Sequence, residues 1–182
     1  MRIVAGTLRG KELVAPPGLV TRPSNVRLRA ALFDMLMHAS WGGREVMEGA
    51  NVLDAFAGTG ALGLEALSRG AARASFVEQD RAAFASLRQN IAACRVQERC
   101  RTILGDLFSQ RFPQVYNLIF LDPPYEKDLV AKSIHYLTAR GVPAPGAIFV
   151  AETSRVEIVN TLGIVLAERV HGAGKLSILR LP

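Results

Sequence analysis

The sequence predicts an α/β protein with a doubly wound, mostly parallel seven-stranded sheet. From residue 51 onward, short apolar runs alternate with segments of helical periodicity, as in repeated βαβ units. Residues 118–121 are apolar throughout, which is typical of a strand buried on both faces. Residues 163–181 are β-rich around closely spaced glycines, so the sheet is expected to end in an antiparallel hairpin.

The first 45 residues are predicted to form a small basic extension that precedes a main domain over residues 46–182. Its predicted elements are strands over 2–5 and 11–15, which form a hairpin, and an amphipathic helix over 26–39. Ser24 or Asn25 is the candidate N-cap of that helix.

The main domain is predicted to alternate strands and helices in chain order. The strands are expected over 51–55, 74–78, 101–104, 118–121 and 147–152, and the helices over 60–69, 81–93 and 129–139. The closing hairpin is expected over 163–170 and 176–181, joined through Gly172-Ala173-Gly174.

Positive charge is concentrated at the start of the chain. The net charge is +6 and the pI near 9.9, and residues 1–30 hold six cations against Glu12 alone. Such a cluster indicates contact with the phosphates of a nucleic acid, although any single arginine could belong to an ordinary basic surface. The candidate nucleic-acid-binding residues are Arg2, Arg9, Lys11, Arg22, Arg27 and Arg29.

Neither a metal site nor a membrane segment is expected. Cys94 and Cys100 lack the spacing of a metal site, and the three histidines are scattered. No apolar run approaches the length of a membrane span, and the amino terminus does not resemble a secretory signal. The sequence therefore predicts a cytoplasmic protein without a bound metal.

A glycine-rich loop follows the first strand of the main domain. Gly58, Gly60 and Gly63 form a GxGxxG pattern, and Glu78 follows at the distance of a ribose-binding acid. This pattern alone leaves dinucleotide binding open. Asp54 stands four residues before Gly58, where its charge would not help to bind a pyrophosphate, and the chain ends in a hairpin rather than a second nucleotide-binding half.

A further acid, Asp106, follows the third strand. Together, Asp54 with the glycine loop and the acids after the second and third strands are similar to the S-adenosylmethionine site of Rossmann-like class I methyltransferases. The cofactor-binding candidates are Asp54, Phe56, Gly58, Gly60, Glu78, Asp106 and Asp122.

The segment Asp122-Pro123-Pro124-Tyr125 directly follows the fourth strand and is the candidate catalytic site. It resembles the motif of amino-group methyltransferases, which act on exocyclic nitrogens. An exocyclic amine on a nucleobase is a poor nucleophile, because its lone pair is delocalised into the ring. Asp122 and the carbonyl of Pro123 can accept its N–H groups and direct the lone pair at a methyl donor. Tyr125 can stack on a base that has been flipped out of its helix.

With these motifs in place, the chain resembles the bacterial 16S rRNA (guanine-N2)-methyltransferase family known as RsmD. The resemblance extends over essentially the whole chain and is strongest in Arg2-Ile3-Val4-Ala5-Gly6, the glycine loop and Asp122-Pro123-Pro124-Tyr125. It implies methyl transfer from S-adenosylmethionine to the N2 amine of a guanine in small-subunit rRNA, within an assembled or assembling subunit, by a monomer. Val26 and Ala30 stand where the family usually carries acids, which makes this extension more basic.

Three other functions stay open on the sequence. Asp-Pro-Pro-Tyr also suits a DNA methyltransferase acting on adenine N6 or cytosine N4, although little chain remains for a target-recognition domain. A non-catalytic rRNA-binding assembly factor would need no intact acids, yet Asp54, Glu78 and Asp122 are present. A dinucleotide-dependent oxidoreductase is the remaining alternative.

Overall fold

The computed structural model describes residues 1–16, 23–124, 128–157, 159, 163–172 and 174–181, with the backbone alone for 23–25. The helices are α1 (Pro23–His38), α2 (Ala61–Ser68), α3 (Arg81–Cys94) and α4 (Leu129–Thr138). The strands are β1 (Asn51–Asp54), β2 (Arg73–Glu78), β3 (Cys100–Leu104), β4 (Tyr116–Leu121), β5 (Pro143–Ser154), β6 (Ile164–His171) and β7 (Gly174–Arg180). Short 3₁₀ helices lie at Gly43–Val46, Gln97–Arg99 and Leu107–Ser109.

The strands form one seven-stranded sheet in the order β3-β2-β1-β4-β5-β7-β6. The first five strands are parallel, whereas β7 runs antiparallel to both of its neighbours. The order reverses between β1 and β4, and ligands of open α/β sheets bind at such a switch point. The predicted mostly parallel sheet with an antiparallel carboxyl-terminal hairpin is confirmed; Ala173 lies outside the described residues.

Alternate residues along the central strands face two separate hydrophobic cores. In β4, Leu118 and Phe120 pack with α1, α2 and α3, whereas Ile119 and Leu121 pack with α4. This period of two explains why residues 118–121 are apolar throughout, since both faces of β4 are covered by helices. It also fixes on which side of the sheet a residue at a strand end will lie.

Two amino-terminal elements differ from their predicted form. Helix α1 begins at Pro23, so Ser24 and Asn25 lie inside its first turn and neither is the N-cap. Proline suits the first helical position because it lacks only an N–H that would have no partner in the helix. The predicted hairpin strands reduce to a single antiparallel bridge between Arg2 and Glu12, because the amides of Val4 and Ala5 donate to Glu65 of α2 instead of to the opposite strand.

The amino-terminal hairpin is attached to α2 through two buried polar side chains. Glu65 accepts hydrogen bonds from the amides of Val4 (2.8 Å) and Ala5 (3.0 Å). Ser68 accepts from the amide of Leu8 at 2.9 Å and donates to the carbonyl of Ala5 at 2.5 Å. The backbone of this short hairpin is therefore fixed by side chains of the main domain.

Asn90 of α3 joins the same hairpin to the glycine loop. Its amide group donates to the carbonyls of Val14 and Thr59, both at 2.9 Å, and its oxygen accepts from the amide of Val14 at 2.7 Å. Ile3 and Leu13 share one hydrophobic core with α2 and α3. The predicted division of the chain at residue 45 stays a prediction, but the two parts bury a common core.

Candidate active site

A cavity of about 620 Å³ opens at the carboxyl edge of the sheet. This volume lies within the usual range of small-molecule sites. Its walls include Phe56–Thr59 of the glycine loop, Asp122–Pro124 after β4, Glu152 of β5, and Met1, Leu28 and Arg29 of the extension. The methyltransferase-like motifs and the amino-terminal segment thus border one common space.

Five carboxylates lie near the carboxyl ends of neighbouring strands, and we call them the strand-end acids. In spatial order from β3 to β5 they are Asp106, Glu78, Asp54, Asp122 and Glu152. Neighbouring strands are about 4.8 Å apart, so this row crosses the whole parallel part of the sheet. The sequence motifs indicated the first four, and the sheet order adds the fifth.

The glycine loop brings bare backbone to the cavity. Gly58 has φ +54° and no atom within 4 Å of the position where a Cβ would stand. Gly60, with φ +80°, is the N-cap of α2 and lies against Leu87, so a side chain there would overlap the core. The loop consequently presents main-chain groups to a ligand at close range.

Glu78 supports this loop and keeps room for a ligand. Its two oxygens accept the amides of Gly58 and Asp80, each at 2.7 Å. A carboxylate has about four lone-pair sites, so two acceptor positions remain. Glu78 itself does not line the cavity of about 620 Å³.

Asp54 lies beneath the cavity rather than in its wall. Its side chain is 1% exposed and accepts the amide of Gly63 at 3.0 Å. Burial, with a smaller contribution from Glu78, raises the pKa of Asp54 to about 7. Asp54 therefore holds the start of α2 and places a readily titrated carboxyl under the glycine loop.

Asp122 is exposed to the cavity but is surrounded by protein on its other sides. This desolvation, together with the charges of Glu152 and Asp54, raises its pKa to about 8. Carboxylates so close together repel one another when ionised, and a bound cation relieves that repulsion. The centre of the row is therefore suited to a positively charged ligand.

Replacing Asp54 with asparagine is expected to stabilise the free protein more at high pH than at low pH. The folded pKa of about 7 lies above the unfolded value near 4, so the folded state binds more protons and stability falls as pH rises between them. The asparagine oxygen still accepts the amide of Gly63 and carries no charge. Urea unfolding should show a gain about 2 kcal/mol larger at pH 8 than at pH 5.5, and an equal gain at both would contradict this explanation.

The structure brings together only some of the predicted ligand-binding residues. Phe56, Gly58, Asp122 and Pro123 line the cavity. Asp106 is exposed after β3, where its Oδ1 accepts the amide of Phe108 at 3.2 Å. Tyr125 lies outside the described residues.

The predicted basic surface divides into exposed and buried members. The side chains of Arg2, Arg9, Lys11 and Arg27 are exposed, and Arg22 lies outside the described residues. Arg29, also a candidate RNA-binding residue, is buried instead of exposed. Arg29 is 5% exposed, donates to the carbonyl of Arg2 at 2.5 Å and lies 3.7 Å from Glu65, so it holds α1 to the hairpin.

Glu152 is the site residue that sequence reasoning missed. A predicted strand ended on this acid, but only the sheet order shows that β5 lies beside β4. Within the described ranges, no group of three or more His, Cys, Asp or Glu side chains is arranged to hold a metal ion. None of the helices described is long and apolar enough to cross a membrane.

The fold is that of class I methyltransferases. A solved Escherichia coli structure described as a methyltransferase superposes with a TM-score of 0.85 and 33% identity, covering 100% of this chain and 97% of that one. A methylase structure from Haemophilus influenzae gives a TM-score of 0.79 and 27% identity, covering 100% and 98%.

The family model described as conserved hypothetical protein 95 matches residues 1–179. The ribosomal RNA small subunit methyltransferase D of Escherichia coli is 36% identical over 169 residues, which are 92% of this chain and 80% of that protein. The chain belongs to this family, and the resemblance to RsmD is confirmed.

Proposed function

We propose that the chain transfers a methyl group from S-adenosylmethionine to the exocyclic N2 amine of a guanine in small-subunit (16S) rRNA. The observation that carries this proposal is the cavity between the glycine loop and Asp122, lined by the strand-end acids Asp122 and Glu152, in a chain of the RsmD family. As a member of that family, the protein is an S-adenosylmethionine-dependent rRNA methyltransferase.

The donor groups of the site fit this cofactor better than a dinucleotide. Asp54 and Asp122 have raised pKa values because the surrounding protein desolvates them and negative charges lie close together, which favours a cationic sulfonium and disfavours two phosphates. Gly58 leaves space for close approach of the ligand to the backbone. We assign the ribose hydroxyls to Glu78 and the adenine amine to Asp106, while Phe56 packs against the nucleoside.

The base-binding end of the cavity is assigned to Asp122 and Pro123. S-adenosylmethionine, when bound, supplies an electrophilic methyl group. Asp122 and the Pro123 carbonyl accept the two N–H groups of the amine, which localises its lone pair and fixes its direction. As the nitrogen becomes cationic, it releases one proton to Asp122 or to water. Tyr125 remains the proposed stacking partner of the base.

The exposed cations of the extension are proposed to bind the phosphates of the RNA. Met1 and Leu28 belong to the cavity wall, so the extension that carries Arg2, Arg9, Lys11 and Arg27 continues directly from the catalytic site. The partner is proposed to be rRNA in an assembled or assembling small subunit, bound by a monomer in the cytoplasm. Arg22 is included on its sequence position alone.

Replacing Arg27 with alanine is expected to weaken RNA binding and to reduce its dependence on salt. Removing one cation that binds a phosphate should lower the slope of log affinity against log salt by about 0.7 to 0.9. Lys132→Ala provides the matched control, because Lys132 is exposed on α4, across the sheet from the extension. Filter binding between about 50 and 200 mM salt would measure both slopes, and identical slopes would rule out a phosphate interaction by Arg27.

The proposed function is tested by transfer of labelled methyl groups to small ribosomal subunits from a strain that lacks this gene. Nucleoside analysis of the digested RNA should place the label in N2-methylguanosine. Label in methylated adenine or cytosine would preserve the chemistry of Asp122 but reject guanine as the substrate. Label on duplex DNA instead of the subunit would favour the DNA methyltransferase, and no label despite cofactor binding would favour an assembly factor.

A further inference from the structure

Glu152 has a position that the roles proposed for the other strand-end acids do not explain. Leu121 of β4 is paired with Ala151 of β5 in parallel register, so Asp122 and Glu152 are the next residues on adjacent strands. Phe120 and Val150, two positions earlier, pack in the same hydrophobic core. The alternation of the strands therefore directs Asp122 and Glu152 to the same side of the sheet, and both line the cavity.

Adjacent strands are about 4.8 Å apart, so the Cα atoms of Asp122 and Glu152 are expected at about that spacing. Glu152 is partly open to the cavity, with a side-chain exposure of 21%. Its Oε1 lies 3.6 Å from Nε2 of His171 on β6. The group is thus both held by the sheet and accessible from the cavity in which the base is proposed to bind.

The three amino-bearing nucleobases differ in the ring atom beside the amine. In guanine the N2 amine adjoins N1–H, which is a hydrogen-bond donor. In adenine the N6 amine adjoins unprotonated N1, and in cytosine the N4 amine adjoins unprotonated N3; both are acceptors. Asp122 alone can accept an N–H of any of these amines, so it does not distinguish the bases. A second carboxylate beside it accepts the ring N–H of guanine and repels the lone pair of the others.

We propose that Glu152 selects guanine by accepting its N1–H while Asp122 accepts an N–H of the adjacent amine. This inference rests on the proposed function and names the residue that restricts it to one base. It assigns two acids on neighbouring strands, Asp122 and Glu152, to two neighbouring N–H donors on the same edge of the base. The assignment also explains why an Asp-Pro-Pro-Tyr segment, compatible with three bases, would act on one.

The test compares guanine with 2-aminopurine at the position that the native enzyme methylates. 2-Aminopurine keeps the exocyclic amine at C2, but its N1 is an acceptor. The probes are small subunits reconstituted with rRNA that carries either base at that position. Native enzyme should methylate guanine in strong preference, since an unpaired polar group in the site costs more than a missing apolar contact.

Glu152→Gln should reduce this preference. The glutamine oxygen accepts N1–H without a full charge, and its amide can donate to the N1 of 2-aminopurine. We expect kcat/KM for guanine to fall about 10- to 100-fold, whereas kcat/KM for 2-aminopurine stays constant or rises. Glu168→Gln is the matched control, because Glu168 lies on β6 and pairs with Ser177 and Lys175 instead of lining the cavity.

The outcomes separate this inference from the function on which it rests. If native enzyme labels a base other than guanine, the proposed function and the role of Glu152 both fail. If native enzyme labels guanine but Glu152→Gln lowers kcat/KM equally for guanine and 2-aminopurine, only the selective role fails. Glu152 would then act through the sheet or through Asp122. A Glu152→Gln variant with an unchanged preference for guanine also overturns the inference. A collapse of the guanine preference at unchanged S-adenosylmethionine affinity supports it.

Discussion

Replacing Asp122 with alanine is expected to lower kcat by about 10³-fold while S-adenosylmethionine affinity changes by less than about tenfold. Asp122 lies in the cavity wall just after β4. The nucleoside-binding groups lie elsewhere, because the glycine loop follows β1 and Glu78 is the last residue of β2. Alanine removes the acceptor that orients the amine but leaves the nucleoside-binding residues in place. Single-turnover rates and calorimetric titration would measure the two quantities separately.

Asp122→Asn is the informative companion variant. Its amide oxygen still accepts one N–H of the amine, but it cannot take up the released proton. We therefore expect a loss of about tenfold in kcat, well below the loss with alanine. If both variants lose activity equally, Asp122 acts mainly through its charge. If cofactor affinity falls as far as kcat in the alanine variant, the assignment of Asp122 to the base is wrong.

Replacing Gly6 with alanine is expected to destabilise the protein by about 2–4 kcal/mol and to weaken RNA binding. Gly6 has φ +80°, and a Cβ there would overlap the backbone carbonyl of Ser68. That carbonyl accepts the amide of Thr7 at 2.8 Å, so the hairpin cannot move away without breaking a hydrogen bond that fixes it to α2. The exposed cations Arg9 and Lys11 would be displaced with it.

Gly10→Ala is the control for Gly6→Ala. Gly10 lies in the same hairpin with φ +84°, but nothing lies within 4 Å of the position of its Cβ. Gly10→Ala should therefore lower the free energy of unfolding only by the strain of a left-handed alanine, about 1 kcal/mol. Urea unfolding of both variants would isolate the close approach to Ser68. Equal losses would show that backbone conformation, and not this approach, requires glycine at residue 6.

The central sheet was predictable because its signals are local. The apolar run before Asp122 and the glycines after Asp54 are each recognisable from residues close together in the chain. The parallel orientation of β1 to β4 follows from the repeated βαβ units. The fold class, the family and the cofactor predicted from these motifs are confirmed. The roles of the individual site residues stay predictions.

The remaining features depend on contacts between distant segments. Arg29 resembles a surface cation in sequence, but Glu65, 36 positions later in the chain, provides the buried partner that holds it inside. Glu152 becomes a neighbour of Asp122 only when β5 pairs with β4. A buried ion pair and a strand register are properties of tertiary structure, so no local pattern indicated them.

The most direct measurement of the central claim, that the negative charge of the strand-end acids favours a cationic cofactor, is calorimetric titration with S-adenosylmethionine in buffers of different ionisation enthalpy. Because Asp54 and Asp122 have pKa values near 7 and 8, a bound sulfonium should ionise them further. We expect binding at pH 7 with release of protons, and smaller release with the uncharged thioether S-adenosylhomocysteine. Equal proton release with both ligands, or tighter binding of NADH than of S-adenosylmethionine, would contradict the claim.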